Sequence, residues 1–144
     1  MKNLGFCLLK NVKGHDEAEL LEAVRTFHSL PLELKMAMAP KHLNGDSSKT
    51  IYRGYFPFFE DDPSHKEMYD MGRPLSDISS WERKNCPLYE DSPWIEDGLL
   101  TEKMGIDELA KLKKAREVFN NHWRLMHELS LKLISCLAIG LGKQ

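Results

Sequence analysis

One stretch constrains this chain more than any other. Between residues 107 and 139, Ala115, Phe119, His122, Met126, Leu129, Leu133 and Cys136 recur every three or four positions. Leu112, Val118, Leu125 and Ile134 widen that apolar stripe to a second face. Asp107 opens the pattern, and Gly140 and Gly142 close it. At 1.5 Å per residue, such a helix is roughly 45 Å long. A compact domain of 144 residues has a radius of gyration of about 14–15 Å, hence a diameter of roughly 37 Å. The helix outruns the body that this chain can build around it, and its broad apolar face calls for a large partner surface.

The elements before it are short. Gly5 to Lys10 reads as a buried strand. Asp16 caps a helix with Glu19 at the capping-box position, and Leu20, Val24 and Phe27 form its stripe, flanked by Leu21 and His28. Pro31 to Ala39 suits another helical turn or two. Pro40 to Thr50 is turn chemistry around Asn44-Gly45. Ile51 to Phe59 is aromatic and strand-like, weakened by Gly54 and Pro57, and Glu67 to Met71 suits a second short strand. From Gly72 to Gly105 the chain reads mostly as loop, with Trp81 and Trp94 among its prolines. Few short strands leave sheet edges open. The fold class is therefore α+β, with a strand and helix pair over 4–39, a pocket-mouth loop and strands over 50–72, a long loop over 73–105 and one long helix over 107–139. It reads as part of a larger fold.

Charge narrows the partners. Lys and Arg number 20 against 22 Asp and Glu, for a net charge of −2. That balance argues against a generic nucleic-acid or anionic-membrane binder. The three cysteines, Cys7, Cys86 and Cys136, are scattered and form no CxxC pair. Neither a disulfide framework nor a zinc module fits, and a reducing compartment does. The apolar run Leu133 to Leu141 is about half the length of a spanning helix. Lys10, Asn11 and Lys13 end the apolar start too early for a signal peptide. The expectation is a cytoplasmic protein.

Two constellations bear on chemistry. His65, Glu67 and a later histidine, His122 or His127, mimic the spacing of a 2-His-1-carboxylate iron site. Against that, His65 ends a polar loop, and His122 and His127 point about 140° apart around a helix. Tyr52-Arg53-Gly54-Tyr55 places an arginine between tyrosines beside a glycine, a grouping able to grip a carboxylate. The plainer alternative is an edge strand with a solvated Arg53. Cys136 reads as core, His28 as a satisfied half-buried histidine, and Met36, Met38, Met68 and Met71 as gap-fillers. Gly140-Leu141-Gly142 reads as a helix stop and has no phosphate-loop surroundings.

The order of these pieces resembles a known family. Gly5-Phe6-Cys7-Leu8-Leu9-Lys10-Asn11 is similar to the "GFF-x-x-x-NH" strand of the isopenicillin N synthase-like 2-oxoglutarate/Fe(II)-dependent dioxygenases. Phe27-His28-Ser29-Leu30-Pro31-Leu32-Glu33-Leu34-Lys35 resembles that family's "FF-x-LP-x-E-x-K", and Tyr52-Arg53-Gly54-Tyr55 its "GY" segment. Lys66-Glu67, with Asp70 and Gly72, resembles "KE-x-x-D-x-G". Pro87, Pro93-Trp94, the long helix and Leu137-Ala138-Ile139-Gly140-Leu141-Gly142 follow in the family's order.

The resemblance is to the non-haem dioxygenase N-terminal region only. It implies a missing C-terminal double-stranded β-helix, or jelly-roll barrel, that would cover the long helix and extend the strands. In the complete family member, that barrel carries His-x-Asp, a distal His and an Arg-x-Ser for 2-oxoglutarate. Neither His-x-Asp nor Arg-x-Ser occurs here. Fe(II) and 2-oxoglutarate are thus implied for the parent enzyme, with no cofactor, metal ligand or catalytic residue expected in this segment. Glu67, within "KE", is not a metal ligand in the family. Tyr52, Arg53 and Tyr55 would stand at the pocket mouth and select a small-molecule substrate. The alternative is a non-catalytic interaction module, a short isoform that binds a full-length relative or another partner.

Overall fold

The computed structural model describes residues 8–47, 49–86, 88–95 and 102–142. Helix α1 spans Glu17–His28, α2 Leu32–Met36 and α3 Lys41–Asn44, the last running into a 3-10 turn at Gly45–Ser47. Strands β1, Gly54–Phe56, and β2, Met68–Asp70, follow. A 3-10 turn at Leu75–Asp77 leads to α4, Ser80–Asn85, and the chain ends in α5, Ile106–Gly140. This is a mixed α and β arrangement, with one two-stranded sheet among the described residues.

Helix α1 begins where Asp16 accepts a hydrogen bond from the Glu19 N–H at 3.0 Å, satisfying a donor the helix itself cannot. Its inner stripe is Leu20, Ala23, Phe27 and, just past its end, Leu30. Val24 and Leu21, which the apolar spacing also puts forward, face outward and are 36% and 44% exposed. Helix α1 runs antiparallel to α5: His15 meets His122, Glu19 pairs with Lys114, and Glu33 pairs with Lys103. Leu112, Ala115 and Phe119 are the buried positions of α5. Phe27, fully buried, lies at the centre, with the rings of Tyr69, Trp94, Phe119 and Tyr55 4.7, 5.7, 6.0 and 6.4 Å from its own.

The sheet supplies the other wall. β1 and β2 are antiparallel, with Tyr55 opposite Tyr69; side chains of such a pair share one face, here the core face. Gly54 has φ +126°, and a Cβ there would sit 2.0 Å from the Met38 carbonyl oxygen. Only glycine lets β1 close against the end of the α2 segment, where the Tyr55 N–H donates to that same carbonyl at 3.0 Å.

Several expectations need correction. The strand over Gly5 to Lys10 lies largely outside the described residues, and residues 8–10 are irregular and exposed. The 40–50 segment is more than a turn, because Pro40 pre-sets the backbone for the single turn of α3. The 73–105 stretch carries α4, which Ser79 and Glu82 start with a reciprocal capping box. Cys136 is exposed, not core. The reason is the reach of α5: at 35 residues it is about 52 Å long, and none of its described residues after Phe119 is buried. Leu131, Ile134, Leu137 and Ile139 stand 44–72% exposed. No helix among the described residues is long and apolar enough to cross a membrane.

Candidate functional site

Residues from α1, α2, β1 and the start of β2 converge on one carboxylate. Glu67 accepts from His28 Nδ1 at 2.8 Å and from Lys35 Nζ at 2.9 Å, and the Tyr55 hydroxyl donates to it as well. Lys35 is buried, donates also to the His28 carbonyl at 3.0 Å, and lies 5.2 Å over the Tyr55 ring. Burial alone would raise the Glu67 pKa, but hydrogen bonds from Tyr55, Lys35 and His28, with the Lys35 charge, hold it at about 2. An ionised carboxylate only accepts, so His28 must carry its proton on Nδ1. Burial, and then the hydrogen bond and charge of Glu67, push the Tyr55 pKa well above the usual phenol value. This cluster is a tie between elements. With three donors on Glu67 and Tyr55 1% exposed, the carboxylate is spoken for.

Arg53 sits on the other side of β1. Its Nη1 donates to Asp70 at 3.1 Å and to the Met71 carbonyl at 3.3 Å. The guanidinium lies flat on Gly72, where an added Cβ would fall 2.8 Å from Nε. Nε is buried with no hydrogen-bond partner among the described residues. Asp70 and Gly72 thus act together, one as the anion and the other as the space that Arg53 needs.

A third feature fixes this segment from behind. The consecutive backbone N–H groups of Ile51, Tyr52 and Arg53 all donate to the Glu90 carboxylate, at 2.8 Å from Ile51 and 2.7 Å from Arg53. Successive amides turned to one point form an anion-binding nest, occupied here by the chain's own side chain. Sequence reasoning had no means to find Glu90, because its partners are main-chain groups that no residue type marks.

Of the three residues expected at a pocket mouth, Tyr52 is 52% exposed, Arg53 is half-buried and Tyr55 is inside. Tyr52 faces outward, whereas the Arg53 guanidinium is laid against Gly72. The residues of the iron-site spacing are engaged apart from one another. Glu67 is in the tie, the His65 ring is tilted against Phe58 at 5.8 Å, His122 lies 5.6 Å from His15, and His127 stacks on Trp123 at 4.8 Å. Among the described residues no three His, Cys, Asp or Glu side chains are grouped to hold a metal ion. The chain matches no protein-family model, no curated protein and no solved structure.

Proposed function

We propose that this chain is the N-terminal scaffold and pocket wall of a cytoplasmic 2-oxoglutarate/Fe(II)-dependent oxygenase acting on a small molecule, and that it is not catalytic by itself. One observation carries the reading. The sequence pieces behind the resemblance, far apart along the chain, meet side chain to side chain. His28 and Lys35 of the "FF-x-LP-x-E-x-K" piece, Tyr55 of the "GY" piece and Glu67 of the "KE" piece share one hydrogen-bonded cluster. Arg53 of "GY" joins Asp70 and Gly72 of "KE-x-x-D-x-G". Motifs that co-occur by chance have no reason to be mutual partners. In the parent enzyme Fe(II) and 2-oxoglutarate would be held by the jelly-roll barrel, and that cofactor pair would supply the oxidation. This segment would hold Tyr52 and Arg53 at the pocket mouth, with Arg53 aligned by Asp70 and Glu90.

Reading the transcript past the codon for Gln144 tests this. Continuation into His-x-Asp, a distal His and Arg-x-Ser is expected, and a frame that continues into an unrelated fold would overturn it. The outward apolar face on the second half of α5 also suits a non-catalytic module that binds a full-length relative. A stop codon directly after Gln144, together with a stable complex between the chain and such a relative, would select that second reading.

A further inference from the structure

The seam between α1 and α5 ends in a pair of histidines. The inner stripe of α5, Ala115 and Phe119, continues to His122 at helical spacing. Helix α1 runs the other way, so its start reaches that point. Just ahead of α1, the His15 N–H donates to the Val12 carbonyl at 3.1 Å. Gly14 takes φ +86° at the third position of this turn, where a type II turn needs a positive φ. A Cβ on Gly14 would stand 3.9 Å from Leu125 Cδ1, so the turn lies directly on α5. Asp16, the next residue after His15, is fixed as the α1 cap. His15 is thus held between a turn and a cap, against a side chain of a continuous helix.

The two imidazole rings have their centres 5.6 Å apart and their planes inclined by 46°. Neither ring has a hydrogen-bond or ion-pair partner among the described residues. His28 differs, because its Nδ1 is given to Glu67. The charged neighbours along the two elements are occupied elsewhere: Asp16 by the Glu19 N–H, Glu19 by Lys114 and Arg124 by Asp77. Lys13, in the turn, is exposed.

The spacing suits a shared metal ion. A zinc–imidazole bond of about 2.0–2.1 Å puts each ring centre about 3.2 Å from the ion, and two such rings at a tetrahedral angle stand about 5.2 Å apart. The His15–His122 pair is wider by a few tenths of an ångström, which a small side-chain rotation closes. A histidine ligand must be neutral. Burial, and then the charge of His15, lower the His122 pKa, which favours that form near neutral pH. We propose that His15 and His122 form a two-point clamp for a divalent transition-metal ion of the Zn²⁺ or Ni²⁺ class, with water completing its coordination. Imidazole suits these ions, whereas Mg²⁺ and Ca²⁺ prefer oxygen ligands that the pair does not offer. With two protein ligands the ion exchanges freely, and occupancy follows its concentration. Bound, it ties the turn before α1 to α5 just beyond Phe119, the last buried residue of that helix among those described. The clamp uses none of Tyr52, Arg53 and Tyr55, so it stands or falls apart from the oxygenase reading.

The test titrates Zn²⁺ into the intact chain, with Mg²⁺ as the control. Long-range proton–nitrogen spectra of the imidazoles report which rings take the metal, and thermal melts report the clamp. At submillimolar Zn²⁺ the His15 and His122 resonances should move together, while those of His28, His42, His65 and His127 stay in place. The melting temperature should rise by about 3 °C or more at saturation, and Mg²⁺ should change neither signal. His15→Gln and His122→Gln should each weaken Zn²⁺ binding at least about tenfold. Residue 15 is exposed, so His15→Gln should keep the metal-free melting temperature and decides the matter even where His122→Gln disturbs packing. Shifts absent from these two rings, shifts spread evenly over the histidines, or a stabilisation that survives His15→Gln would overturn the proposal.

Discussion

Glu67 concentrates more of this protein's stability than its half-exposed position suggests. Replacing it with alanine strips Tyr55, Lys35 and His28 of their common acceptor and leaves the buried Lys35 ammonium without a counter-charge. Losses of this kind run to about 3–5 kcal/mol when fully buried; for this partly solvated cluster about 2–3 kcal/mol is expected, measured by urea unfolding. The same group sets an acid limit. Its folded pKa of about 2 lies below the ordinary 4.5, so its contribution is complete above about pH 4.5 and disappears as pH falls toward 2. Asp77, held at about 2 by hydrogen bonds from Arg124 and Ser76, acts in the same direction. The melting temperature should therefore be flat near neutrality and fall steadily through that acid window; a profile unchanged down to pH 2 would contradict the assigned hydrogen bonds. Lys35, Glu67, Asp70 and Gly72 stood out as residues in the sequence, but their partners did not. Which donor meets which acceptor depends on where four elements dock, and that is a long-range outcome.

The elements show where spacing alone misleads. Leu20, Val24 and Phe27 and the observed Leu20, Ala23 and Phe27 are both helical sets. Alanine wins the inner position because α1 and α5 approach closely there, and the small Ala115 is buried on the facing helix. The bounds of α1 and α5 follow closely from their caps and glycines, whereas the single turn of α3 and the six residues of α4 are too short to show periodicity. Capping makes a measurable claim: Asp16→Ala should cost about 1 kcal/mol, seen as a lower urea midpoint with an unchanged slope. Two glycines divide more sharply. Gly54→Ala forces a side chain onto a positive φ and into the Met38 carbonyl, so a loss of about 3 kcal/mol or more is expected. At Gly72 the obstacle is the movable end of Arg53. Gly72→Ala should leave the melting temperature within a few degrees yet displace the Arg53 guanidinium, visible as a shifted Nε–H resonance.

Across the assembled chain, packing is uneven. The first half of α5 is held by α1, Phe27 and Trp94, while the second half carries Leu131, Ile134, Leu137 and Ile139 outward. Amide exchange should be slow near Leu112 to Phe119 and markedly faster from Leu131 onward. Purified alone, the chain should bind a hydrophobic dye and self-associate, both reversed by Ile134→Glu with Leu137→Lys; a monomer that ignores the dye would count against an uncovered face. This imbalance was readable beforehand, since helix length against domain size needs no tertiary detail. The turn at 51–53 has a different consequence. Glu90 grips it through main-chain amides, so its posture is independent of which side chains it displays. Tyr52 is free to be exchanged for almost anything except proline, which lacks the N–H. The turn would change its chemistry while its backbone stayed in place. A surface built this way can change the groups it displays by single substitutions without first having to find a new fold for the loop.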